Sequence, residues 1–114
     1  MQVIHSPITL QSLKDMAAGR FGDLVKCVVD TEKQVMALDA DLHADEEAAL
    51  LASGSSQKHL WGINLYPSLY GTKDFVEFDS MINLRPSDNN MTRSVDHPDI
   101  KQRIQTIVST LITP

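Results

Sequence analysis

With 114 residues, 42% of them hydrophobic and 22% charged, the chain has the size and composition of one globular domain and is far from the highly charged, weakly apolar corner of disordered sequences. Ten basic against fifteen acidic residues give a formal net charge of −5 at pH 7, which opposes general attraction to a phosphate backbone. Only 5% of the residues are aromatic, so few ring faces exist on which unpaired bases could stack.

The first residues, MQVIHSPITL, carry no basic segment leading into a long apolar run and cleavage site, and no stretch reaches the length of a membrane span. The expected location is the cytoplasm, with no membrane partner. Cys27 is the single cysteine and lies in the apolar string LVKCVV, which excludes an intramolecular disulfide and predicts a buried thiol. Asn90-Met91-Thr92 matches a glycosylation acceptor but reads as coincidental without an export signal.

Residues 2–5 form a short extended start closed by Ser6-Pro7. Thr9 then caps a helix whose one face carries Leu10, Leu13, Met16 and Ala17, and Gly22 stops it. Residues 24–30 are rich in β-branched side chains, 31–33 are polar and 34–38 return to apolar types, the pattern of a hairpin. Residues 41–53 predict a short second helix, with Asp45, Glu46 and Glu47 placed where negative charge favours a helix N-terminus, and Gly54 beyond its end.

Two further strands are predicted over 60–66 and 75–84, joined by a turn containing Pro67 and Gly71. In the second, Val76, Phe78, Ile82 and Leu84 alternate with Glu77, Asp79, Asn83 and Arg85, Ser80 being the exception, which indicates a sheet covered on one face. After the polar loop 85–94, Asp96 and Pro98 open a helix with Ile100, Ile104, Ile107, Val108, Leu111 and Ile112 on one stripe. The element order is β-α-β-β-α-β-β-α. The expected fold is a single α+β domain over residues 1–114, with a mainly antiparallel sheet of about five strands and helices packed on one face.

Three groups of residues could carry chemistry. On the polar sheet face, Glu77 and Asp79 are two apart, about 6.6 Å along a strand, and could lean toward one divalent cation, with Lys26, Asp30 and Asn64 added from neighbouring strands. Two acids and a lysine are the minimum for metal-assisted hydrolysis of a phosphate ester, so Glu77, Asp79 and Lys26 are the catalytic candidates and Glu77 and Asp79 the metal candidates. The competing reading is that these charges decorate a solvated face. A second group is His43 with Glu46 or Glu47 at helical spacing, where charge compensation at the helix end competes with metal binding. His5, His59 and His97 are scattered and read as surface or capping residues. The third is the 85–94 loop, in which Arg85 and Arg93, together with Asn64 of the sheet face, are candidates for binding a small anionic ligand, against the reading of a flexible connector. Trp61, followed by Gly62 within a strand, reads as core alongside Ile63 and Leu65, the glycine marking a bulge or a close approach.

The strings LHADEEAALL, LWGINLYP and FVEFDSMINLRP resemble a small family of prokaryotic domains of unknown function, over nearly the whole chain. The resemblance implies no activity, cofactor or site residue. The residues themselves support a non-catalytic cytoplasmic binding or protein-interaction domain, self-associating through an uncovered sheet edge or face as a homodimer. The alternative is a metal-dependent hydrolase acting on a phosphorylated substrate.

Overall fold

A computed structural model describes residues 1–114. Its α+β architecture and five-stranded antiparallel sheet are those expected from the residue pattern. No helix is long and apolar enough to cross a membrane.

The amino-terminal strand β1 (Gln2–Ile4) leads through β2 (Ile8–Thr9) into α1 (Leu10–Ala18). Thr9 caps this helix by accepting the Ser12 N–H at 3.1 Å on its hydroxyl, and Leu13, Met16 and Ala17 are buried. The chain reverses at Gly22, whose φ of 92° is accessible to glycine at little cost. Next comes the hairpin of β3 (Val25–Asp30) and β4 (Val35–Leu38). Asp30 builds its turn by accepting the N–H groups of Glu32 and Lys33 on Oδ1, both at 2.9 Å, and the Ser55 hydroxyl on Oδ2 at 2.6 Å. It is therefore a buried turn residue and not a member of the polar sheet face.

Helix α2 (His43–Ala52) precedes β5 (Leu60–Leu65) and the short β6 (Val76–Glu77). Helix α3 (Pro98–Leu111) runs directly into β7 (Ile112–Thr113). The sheet order is β1-β4-β3-β5-β6, and every neighbouring pair is antiparallel. Ile112 is thus a strand residue instead of the last residue of the helical stripe. It pairs in parallel with Ile8, as Thr113 does with Thr9, and the Thr113 hydroxyl donates to Ile8 O at 3.3 Å.

Side chains alternate across a strand, so the register sorts the core into two parts. Val25, Cys27, Val29, Met36, Leu38, Trp61, Ile63 and Leu65 face α1 and α3 and form the main core with Leu13, Ile104 and Leu111. Cys27 is fully buried there as a free thiol, and burial raises its pKa well above the ordinary value. Val28, Val35, Ala37 and Leu60 point the other way and pack against Leu50 of α2. The helices are therefore divided between the two faces, and the expectation that all would lie on one face is corrected. The apolar residues Val28 and Leu60, out of phase with their neighbours, require the second cover.

The predicted strand over 75–84 is also shorter than expected. Only Val76 and Glu77 pair with β5, and tight turns at Met81–Asn83 and Pro86–Asp88 follow. The cause lies in the glycine of β5. Asn83 caps the backbone of Gly62 with its side-chain amide, accepting the Gly62 N–H at 2.8 Å and donating to Gly62 O at 2.9 Å, in place of a neighbouring strand. Ser80 sits so close that a Cβ on residue 62 would lie 2.5 Å from the Ser80 Cβ, a separation only glycine relieves.

The 85–94 loop is built instead of flexible. Asn90 is fully buried and donates to the carbonyls of Asn83, Thr92 and Ser94 at 2.8, 3.2 and 2.7 Å, while its own carbonyl accepts the Asp96 N–H at 2.8 Å. Every polar atom of that amide serves to fold the loop, which leaves the Asn90-Met91-Thr92 tripeptide without an accessible asparagine.

Candidate functional site

Helix α2 covers only part of its sheet face. Beyond its first turn, cross-strand pairing sets Lys26 opposite Asn64 and Asn64 opposite Glu77, a row of base, amide and acid across β3, β5 and β6. This row floors an open groove of about 570 Å³, walled by the start of α2 on one side and by residues 79–82 and Arg93 on the other. Lys26, Asn64, Glu77, Asp79 and Arg93, five of the residues singled out in the sequence, all line it.

Asn64 is its best-determined member. Its Nδ2 donates to Glu77 Oε1 at 2.9 Å and to Asp79 O at 3.3 Å, which fixes the amide orientation and leaves Oδ1, itself buried, with no donor. The residue is 8% exposed. Such an atom forgoes a hydrogen bond, at a cost of about 1–3 kcal/mol.

The two acids are partly engaged. Glu77 Oε1 also accepts the Tyr66 hydroxyl at 3.0 Å, while its Oε2 has no protein partner. Burial, followed by this bond to Glu77, raises the Tyr66 pKa. Asp79 lies past the end of β6 and is paired through Oδ1 with Arg93 Nε at 2.7 Å. Lys26 makes no ion pair, and its ammonium lies 5.3 Å from the centroid of the Phe21 ring.

His43 forms the opposite wall. Its Nε2 faces Ile63 O at 2.8 Å, and because a carbonyl only accepts, Nε2 carries the proton. Burial lowers the His43 pKa, so the ring is neutral at pH 7 and Nδ1 is an acceptor. The rim is apolar, with Leu42 and Met81 among the most exposed large hydrophobic side chains of the molecule.

Two expectations for this region are corrected. Arg85 does not reach the groove. Its guanidinium donates to Gln57 O at 2.7 Å and Leu60 O at 3.0 Å, lies 4.2 Å from the centroid of the Trp61 ring and is 8% exposed, so it braces the end of β5. The Glu46 carboxyl is not a solvated charge at a helix end. It is fully buried, accepts the Ala40 N–H on Oε2 at 3.1 Å, and has its pKa pushed up to about 9 by burial.

Glu77 and Asp79 both line the groove, and no group of three His, Cys, Asp or Glu side chains has the arrangement to hold a metal ion. A second depression, of about 580 Å³, runs between the Tyr70–Phe75 turn and α3. Its size matches the first, but it is lined by amides and hydroxyls of the outer face of α3 and has no buried polar atom lacking a partner.

Tyr66 was legible as a groove residue, being two positions from Asn64 and on the same side of the strand. His43 was legible only as half of a metal pair, because helical spacing does not reveal that its ring meets a strand carbonyl.

Together these features define an α+β domain with a single amide-centred groove of mixed charge on its sheet. The chain belongs to the family described as protein of unknown function DUF5674, whose model matches residues 2–111. No curated protein and no solved structure matches it.

Proposed function

We propose that this domain is a non-catalytic binding module of the cytoplasm that takes a small polar ligand in the groove between the start of α2 and the Lys26–Asn64–Glu77 row. The observation that carries the reading is the row Lys26–Asn64–Glu77 across three strands, in which Asn64 holds Glu77 Oε1 while Glu77 Oε2 and the Lys26 ammonium have no hydrogen-bond partner in the protein. The groove volume of about 570 Å³ suits a small molecule, and the free cysteine, buried in the core, suits a reducing compartment.

A ligand that is only anionic fits less well than the sequence suggests, because Glu77 and Asp79 share the groove with Lys26 and Arg93. The metal-dependent hydrolase draws on the same residues, but each carboxylate already has one oxygen engaged, that of Glu77 by Tyr66 and Asn64 and that of Asp79 by Arg93.

A fragment screen with amide chemical-shift mapping tests the assignment. Hits are expected to perturb Lys26, Asn64 and Glu77 and to bind more weakly to Asn64→Leu; hits confined to the outer face of α3 would overturn it. In the same series, a rise in melting temperature with millimolar magnesium, manganese, calcium or zinc that is lost in the Glu77→Gln, Asp79→Asn double variant would instead favour the hydrolase.

Self-association belongs to the same proposal. The outer edge of β1 has no strand beside it and Val3 is exposed, so a second copy could extend the sheet there. Light scattering at increasing concentration should show a mass rising toward the dimer, and a constant monomer mass would refute this part alone.

A further inference from the structure

The groove offers unused hydrogen-bonding capacity of two opposite kinds, in fixed positions. Glu77 Oε2 has no protein partner, so one end of the groove has a carboxylate oxygen free to accept. Across the row, Lys26 has an ammonium with no carboxylate to pair with. Strand spacing places the backbone of Lys26 and that of Glu77 about 10 Å apart with Asn64 between them, close enough for their side chains to hold the two ends of one small molecule. The four charged groups, Lys26, Arg93, Glu77 and Asp79, cancel, so an occupant without net charge leaves the site neutral. The apolar rim of Leu42 and Met81 can cover a hydrocarbon substituent.

We infer that the ligand is a small zwitterion, an α-amino acid with an apolar side chain being the simplest case. Its ammonium donates to Glu77 Oε2, its carboxylate accepts from Lys26 Nζ, and its side chain lies between Leu42 and Met81. This rests on the groove being a binding site and adds the chemistry of what fills it. Each end is held by a charge-assisted hydrogen bond, so neither can be blocked without a large loss.

The test is calorimetric titration of the full chain with L-leucine, L-methionine and L-phenylalanine, and, for the tightest of them, with its N-acetyl derivative and its amide. The free amino acid is expected to bind and each blocked form to bind at least about tenfold more weakly, the loss of one charge-assisted bond. Glu77→Gln should remove the discrimination against the N-acetyl form, and Lys26→Met that against the amide. Glu77 is exposed and Lys26 half-buried, both outside the apolar core, and an unchanged circular dichroism spectrum verifies folding. Equal affinity for free and blocked forms, or no binding by any of the three, would overturn the zwitterion assignment. In that event, fragments that still map to the groove would leave the binding reading standing, so the two failures are distinguishable.

Discussion

Ile104→Asp should leave the chain largely unfolded at neutral pH. Ile104 is fully buried at the centre of the α3 face, among residues that reach both α1 and the sheet. An aspartate there either carries an unpaired charge into an apolar interior or must be protonated, at a cost of more than about 3 kcal/mol. For a domain whose total stability is on the order of 5–15 kcal/mol this is a large fraction of the whole. Gln105→Asp, one position on and exposed, is the control and should change stability by less than about 0.5 kcal/mol. Denaturant unfolding followed by circular dichroism compares the two, and matching midpoints would show that α3 does not supply the core.

The second large effect belongs to Glu46. In the unfolded chain its carboxyl loses a proton near the ordinary value of 4.5, whereas in the folded protein burial holds the proton until about pH 9. Lys26 and the amino terminus favour the ionised form and Asp39 opposes it, but desolvation outweighs them. Between these limits the unfolded state binds fewer protons than the folded state, so stability falls as pH rises, by about 1.4 kcal/mol per pH unit for this one group. Below the lower limit both states are protonated and the penalty is absent.

Glu46→Gln keeps an oxygen for the Ala40 N–H and cannot ionise. The variant should match the wild type near pH 5, exceed it by several kcal/mol on the order of the accumulated slope at pH 8, and lack the fall that this carboxyl contributes. Urea midpoints across that range are the measurement, and parallel profiles would refute a buried neutral acid.

The secure parts of the fold were those set by local pattern. The α3 stripe, the Thr9 cap and the hairpin of β3 and β4 all follow from spacing within a few residues. What escaped depended on partners distant in sequence. Alternation from Val76 to Leu84 promised a long strand, but Asn83 is worth more as a cap on Gly62 than as a rung in a ladder. The glycine within LWGINLYP signalled a close approach without identifying what approaches. The second face of the sheet was signalled by Val28 and Val29, adjacent apolar residues that cannot point the same way, yet choosing α2 as its cover needed three dimensions. Of the candidate site, the row and its acids were visible from strand alternation. Arg85 was misplaced because its partners are backbone carbonyls, which carry no sequence signature.

The pairing of β2 with β7 bears on how the molecule is made. Ile8 cannot find its partner until Ile112 has been synthesised, and the hydrogen bond between Thr113 and Ile8 spans 105 positions. A nascent chain that has emerged only as far as β6 already has its five strands and α1 but lacks α3, so Cys27, Ile63 and Leu65 lie on an apolar face that is only partly covered. Vectorial synthesis therefore defers closure of the main core until α3 has emerged, and before that the exposed part of the sheet is a surface that chaperones recognise and that neighbouring nascent chains can adhere to.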